Sequence, residues 1–276
     1  DALSQKLSKL MAEGPDEELT LTENAQPAIM AYSIAMLRSL ETDFGFTLSD
    51  HAQAVAGHSL GEYSALCAVG ALSLSNSARL LKLRGKAMQS AVPVGEGGMA
   101  ALLGADIAKA QALAAAAAQE EVCEIANDND PTQVVISGHK GAIERAVGLA
   151  KEHGIKRGIP LPVSAPFHSS LMQPAAEQME HALKAIPLSS LALPVYANVT
   201  AAKTSDPEVE HRQLVEQVTG RVRWRESVLA MREDGVEHFV EFGGKVLCPM
   251  VGRIDRDAQT TSLSTMEDLE AFAKTL

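Results

Sequence analysis

Apolar positions along this chain switch repeatedly between helical and strand spacing, so that strands alternate with helices almost throughout. Ala25 to Leu40 predicts a helix that starts near Gln26-Pro27, where a proline is tolerated in the first turn. Gln53 to His58 predicts a short buried strand. Asn76 to Ala91 predicts a helix with Leu80, Leu81 and Leu83 facing inward. Arg84 and Met88 are four apart on that helix, so they share a face and can line the same pocket. Later, Leu171 to Lys184 reads as a helix, and Val195-Tyr196-Ala197 and Glu237 to Phe242 read as strands.

Between Gly98 and Pro162 the pattern predicts a self-contained unit. Met99 to Leu103 is a strand and Ile107 to Glu120 an alanine-rich helix. Val122 to Ala126 and Gln133 to Ser137 are strands around the turn Asn127-Asp128-Asn129-Asp130-Pro131. Gly141 to Glu152 is a helix and Ile155 to Leu161 a strand. The order βαββαβ is the ferredoxin-like arrangement. Gly95-Glu96-Gly97-Gly98 marks a hinge into the unit and Pro160-Leu161-Pro162 a way out of it. The expected division is therefore 1–97 with 164–276 for the larger part and 98–163 for the smaller.

A length of 276 residues suits one large α/β domain carrying a small inserted one. The formal net charge of -11 argues against nucleic-acid or anionic-membrane partners. No apolar run is long enough to span a bilayer, and no cleavable leader is visible. Cys67, Cys123 and Cys248 are far apart and form no CxxC pair, which reads as reduced thiols of a cytoplasmic protein. The eight histidines are scattered, so no metal site is expected.

Gly57-His58-Ser59-Leu60-Gly61 fits Gly-x-Ser-x-Gly, between a strand and a helix-compatible run. In that context the turn exposes the serine hydroxyl, and both glycines are expected to remove side chains that would collide with neighbouring backbone. The Leu60 amide falls at a helix N-terminus, where it can donate to a developing oxyanion. Ser59 needs a base, and His168, in the loop Ala165-Pro166-Phe167-His168-Ser169, is the best candidate. His58 points to the other face of its strand. Arg84 lies in an otherwise apolar helix, and an arginine near a buried pocket can grip a carboxylate through two parallel hydrogen bonds.

Four segments resemble malonyl-CoA:acyl carrier protein transacylases of fatty-acid synthesis in order and spacing. They are Gly57 to Ala65, Leu83 to Gln89, Gln133 to Gly138 and Ala165 to Ser169. The resemblance implies an α/β-hydrolase-like large subdomain with a parallel sheet and an inserted ferredoxin-like small subdomain. It implies Ser59 as nucleophile, the Leu60 amide in the oxyanion hole and His168 as catalytic histidine. Gln217 would orient that histidine through its backbone carbonyl. Arg84 would grip the malonyl carboxylate beside Met88, and Phe167 would mark the malonyl-selective form of its loop. The substrates implied are malonyl-CoA and phosphopantetheinylated acyl carrier protein, with no cofactor and a monomeric enzyme.

Family members begin with a strand and a Gly-Gln-Gly-Ser-Gln loop some thirty residues upstream, so Asp1 is expected to start in mid-domain. Glu241 to Pro249 is one residue shorter than the family's usual loop. Two other readings stay open at this point. One is a serine esterase or thioesterase with Asp128 or Asp130 as the acid. The other is a chain that only binds acyl thioesters. Arg221, Arg223 and Arg225 alternate and would share one face of an extended segment, a candidate docking patch for an acidic carrier protein.

Overall fold

The structure, a computed structural model, describes residues 2–163 and 165–276. Asp1 and Ser164, where the second large segment was expected to begin, lie outside the described residues. Secondary structure is mixed α/β. The first strand, β1 (Val55–Ala56), is shorter than its apolar pattern suggests, because the chain already turns at Gly57. The inserted strands follow: β2 (Gly97–Leu103), β3 (Cys123–Asp130), β4 (Gln133–His139) and β5 (Arg157–Pro160). The chain then forms β6 (Val195–Tyr196), β7 (Lys203–Thr204), β8 (His238–Phe242) and β9 (Gln259–Leu263).

β2 to β5, with helices Ile107–Ala118 and Lys140–Leu149, form a four-stranded antiparallel sheet in the order β3-β4-β2-β5. Alternation within β2 decides its two faces. Ala100 and Leu102 pack with Val134 and Ile136 against the helix residues Leu113, Ile143 and Ala146. Met99 and Ala101 point the other way and meet Leu161 and Phe167. The second face thus carries the loop of His168. Gly97, at the start of β2, passes under that loop closely enough that a Cβ would lie 2.4 Å from Pro166 Cδ.

The parallel pairing expected of the larger part appears in two places. β1 pairs with β6, which carries β7 antiparallel on its far side, and β8 pairs with β9. Its largest core gathers Met30, Tyr63, Leu66, Leu80, Leu81, Met88, Met179 and Leu214 from the surrounding helices.

Three boundaries differ from the pattern for physical reasons. The first long helix runs Thr22–Phe44, so Pro27 falls in its second turn rather than its first. Its early turn is held by tertiary contacts: Asn24 Nδ2 donates to Glu18 O, and Lys82 reaches both Asn24 Oδ1 and Glu23. β3 runs on through Asn127-Asp128-Asn129-Asp130, where the polar run reads as a turn. Two register shifts let these residues stay in the ladder, and all four are buried. Asp128 pairs with Arg225 at 2.8 Å and Asp130 with Arg253 at 2.8 Å, on helices Trp224–Glu233 and Leu247–Ile254. Finally, the helix expected from Leu171 starts as a 3-10 turn (Ser170–Met172) and continues as Gln173–Ala185.

The shortened Glu241 to Pro249 segment is a capped helix start. The Glu241 carboxylate accepts from the amides of Val246, Leu247 and Cys248 at 2.8, 3.0 and 2.8 Å.

Candidate active site

β1 ends at Ala56, and Ser59 sits at the N-cap of helix Leu60–Ala68 with φ 54 and ψ -111. A non-glycine residue rarely takes such a backbone, and tight strand-to-helix turns that present a side chain require it. Gly57 is obligatory: a Cβ there would lie 1.9 Å from Gly61 O. Gly61 is not required in the same way, because a Cβ on it would meet nothing within 4 Å. Only the first glycine of the pattern therefore prevents a collision. Leu60 is the first helical residue, so its amide has no carbonyl four residues back to bond.

Ser59 Oγ lies 2.8 Å from His168 Nε2. On the other side of the ring, His168 Nδ1 is 2.9 Å from Gln217 O and 3.2 Å from Gly220 O. Carbonyls only accept, so Nδ1 carries the hydrogen and Nε2 is left free to accept the serine proton. Burial, followed by the nearby Arg84 charge, lowers the His168 pKa to about 3. The ring is neutral at physiological pH.

Arg84 projects from helix Leu74–Ser90 and is 1% exposed. Nη1 donates to Gln26 Oε1 at 2.8 Å, and Nη2 donates to Gln217 Oε1 at 2.8 Å and to Ser59 Oγ at 3.1 Å. Its guanidinium carbon stands 5.7 Å from the centre of the Tyr63 ring. No carboxylate lies within ion-pair distance of it among the described residues, and Nε has no hydrogen-bond partner there. Burial lowers its pKa. Arg84 is thus a buried cation held only by neutral acceptors beside a serine hydroxyl, an arrangement with room for an anionic partner. Met88, one turn on, is fully buried in the large core, and Phe167 is half-buried between that core and the sheet face.

The geometry thus brings Ser59, His168, Gln217 and Arg84 into one cluster. Three features were not read from the sequence. Gln217 acts through its side chain as well as its carbonyl, donating to Ser59 O at 3.0 Å. Gln26 anchors Arg84, and its position just before Pro27 in an apolar helix face gave no hint of this. Asn198 grips the serine turn, with Oδ1 2.6 Å from Ser59 N and Nδ2 2.7 Å from Gly57 O. A polar residue just past the carboxyl end of a parallel strand is where such folds place functional groups, and that signal was present.

Behind Asn198 lies a buried carboxyl pair. Glu62 Oε2 accepts from Asn198 N at 2.7 Å, and Glu62 and Glu210 are both fully buried. Burial and then the neighbouring Glu210 push the Glu62 pKa well up, and burial raises Glu210 to about 7.

Two expectations fail. Asp128 and Asp130 cannot serve as the acid of a serine triad, because each is committed to an arginine and His168 Nδ1 already faces two carbonyls. The three arginines do not form an open patch on an extended segment. Arg221 and Arg223 both pair with Glu226, Arg225 pairs with Asp128, and the helix has begun by Trp224. His58 bonds Asn129 Oδ1 at 2.8 Å through Nε2 and packs on Trp224, away from the serine hydroxyl. Among the described residues no group of three or more His, Cys, Asp or Glu side chains could hold a metal ion.

A serine at a strained strand-to-helix turn, backed by a neutral histidine, defines the class of centre that exchanges acyl groups. The family model described as "Acyl transferase domain" matches residues 2–248. The chain is 43% identical to the malonyl CoA-acyl carrier protein transacylase of Bacillus subtilis, over 100% of this chain and 86% of the relative. It is 40% identical to that of Escherichia coli K12, over 100% and 87%. The acyl-carrier-protein-S-malonyltransferase of Bartonella henselae superposes with a TM-score of 0.96 at 50% identity, over 100% of this chain and 88% of that one. A malonyl-transacylase solved in complex with a type II PKS acyl-carrier protein superposes with a TM-score of 0.95 at 36% identity, over 100% and 88%. The chain belongs to the acyl transferase family, among the malonyl CoA-acyl carrier protein transacylases.

Proposed function

We propose that this chain transfers a malonyl group from malonyl-CoA to the phosphopantetheine thiol of acyl carrier protein, through a malonyl ester on Ser59. The observation that carries the reading is the buried Arg84 guanidinium, without a carboxylate partner among the described residues, 3.1 Å from the Ser59 hydroxyl. In the first half-reaction His168 Nε2 takes the Ser59 proton as Oγ bonds the thioester carbon. The Leu60 amide donates to the oxyanion. The carbon–sulfur bond then breaks, and the coenzyme A thiolate leaves with the proton from His168. In the second half-reaction the carrier-protein thiol gives its proton to His168 and attacks the ester. The Oγ–carbon bond breaks and the proton returns to Ser59. The Gln217 carbonyl keeps the imidazole in the required tautomer, so no acid is needed behind it.

Arg84 supplies selectivity. Pairing with the malonyl carboxylate repays its desolvation, whereas an acetyl group leaves the charge unpaired. Met88 and Phe167 shape the acyl pocket. The larger part, 1–97 with 164–276, is α/β-hydrolase-like; the smaller, 98–163, is ferredoxin-like, which the strand order β3-β4-β2-β5 supports. The enzyme acts as a cytoplasmic monomer on one thioester and one thiol substrate, without a cofactor; three free, buried cysteines support the reducing compartment. No helix among the described residues is long and apolar enough to cross a membrane. The test is to mix the chain with malonyl-CoA, quench in acid and map the mass increment. One malonyl group on the Ser59 peptide, released by holo carrier protein, is expected. Fast release to free malonate without carrier protein would overturn the transferase reading.

A further inference from the structure

Ser59 is held in a backbone conformation that L side chains avoid and that persists only if its surroundings over-determine it. Every backbone polar group of Ser59 is engaged. Its N–H donates to Asn198 Oδ1 at 2.6 Å, and its carbonyl accepts from Gln217 Nε2 at 3.0 Å and Glu62 N at 3.1 Å. Asn198 also reaches back across the turn, donating from Nδ2 to Gly57 O at 2.7 Å. One planar amide therefore grips the turn at two points, two residues apart. Only a group that accepts on one atom and donates on the other fits both.

Asn198 is itself fixed on both sides. Its N–H donates to Glu62 Oε2 at 2.7 Å and its carbonyl accepts from Arg223 N at 2.9 Å. It is 1% exposed and touches neither Ser59 Oγ nor the His168 ring in this network.

We propose that Asn198 is a positioning residue for acyl transfer: its side-chain amide clamps the Gly57–Ser59 turn and so sets where the serine hydroxyl stands relative to His168. The proposal rests on Ser59 as the nucleophile. A displacement of about 1 Å at a reacting group costs on the order of 10²-fold in rate.

The discriminating variant is Asn198→Asp. As a carboxylate it accepts from Ser59 N but repels Gly57 O. As a neutral acid it accepts and donates, as the amide does. Acidification should therefore restore its function, which a purely structural defect would not do. The titratable groups of this network are Glu62, which accepts from Asn198 N, Glu210 beside Glu62, and His168 and Arg84 on Ser59, all present in the wild type. The Asn198→Ala-to-wild-type ratio at each pH shows what their own titration contributes.

The experiment measures two rate constants on the full chain. One is malonylation of Ser59 by malonyl-CoA under rapid quench, and the other is labelling of Ser59 by a fluorophosphonate. Asn198→Ala should lower both about 10²-fold at every pH, with KM for malonyl-CoA within about twofold of wild type because Arg84 is untouched. Asn198→Asp should match it near pH 8 and regain about tenfold relative to wild type near pH 5.5. Wild-type rates in both variants, or an Asn198→Asp ratio that does not change with pH, would overturn the clamp. If Asn198→Ala does not fold, the aspartate variant alone decides. If wild type takes fluorophosphonate but no malonyl group, the transfer reading fails, and the fluorophosphonate ratio still decides the clamp.

Discussion

The four-stranded unit and the serine centre solve opposite problems. In the unit, β2 sends successive apolar residues to opposite faces, and each face buries them against helices or against the loop of His168. On those two faces almost nothing polar is at stake; the unit's buried carboxylates, Asp128 and Asp130, lie on β3 and pair with arginines outside it. The centre is the reverse: Arg84, Glu62, Gln217, Asn198 and His168 are all buried within a few ångströms of one another. Stability in the first comes from area removed from water; in the second it depends on how the buried polar atoms are paired. The difference teaches that the unit should tolerate change in proportion to volume, whereas the centre should fail at single atoms.

The largest test of that contrast is Ser59→Ala or His168→Ala. Each should lower malonyl transfer by about 10⁴-fold or more; Ser59→Ala should leave the melting transition close to wild type, whereas His168→Ala strips two carbonyls of their donor and should lower it. A loss below about tenfold for either would break the assignment. Next, Arg84→Ala should cut the preference for malonyl over acetyl thioesters by about 10²-fold, read as the ratio of kcat/KM values. Unchanged preference would remove Arg84 from substrate recognition.

On the other side of the comparison, Ile136→Ala empties part of a fully buried site in the unit. It should cost about 2–5 kcal/mol in chemical denaturation and leave Ser59 malonylation near wild type under folding conditions. Arg225→Ala leaves Asp128 buried without its partner and should cost about 3 kcal/mol. A cost well below 1 kcal/mol would mean that water reaches Asp128.

The smallest effects are in pH. His168 is lowered in the folded chain, so it contributes stability present above its ordinary value and lost as pH falls towards about 3. Glu210 is raised, so its contribution is present below the ordinary carboxyl value and lost as pH rises through about 7. Glu210→Gln should therefore gain melting temperature relative to wild type as pH rises from about 5 to about 8. A constant difference would show that Glu210 ionises freely. Because His168 stays neutral, Ser59 malonylation should be nearly independent of pH between about 5 and 8.

Legibility followed the same division. The unit's order βαββαβ could be read because alternation and helical spacing are local properties. Its one misread stretch, Asn127 to Asp130, looks like a turn because the arginines that bury it lie about a hundred residues away. In the centre, Ser59 and His168 announced themselves by residue type and loop context. Gln26, Asn198 and the Glu62–Glu210 pair did not, because a buried polar residue is recognisable only once its partner's place is known. Helix propensity likewise could not tell that Thr22 to Asn24 would join the helix, where Lys82 holds Glu23 and Asn24.

β3 does more than complete its own sheet. Asp128 N donates to Val222 O at 2.9 Å and Val222 N donates to Ala126 O at 2.8 Å, which makes a short parallel bridge to the segment just after Gln217 and Gly220. Those two residues supply the carbonyls that hold His168. The insert is thus wired to the imidazole. Anyone grafting this unit from one relative into another would be transplanting a splint of the segment that holds the His168 ring. Such chimeras should work only when Val222, Arg225 and Arg253 travel with the strand they brace.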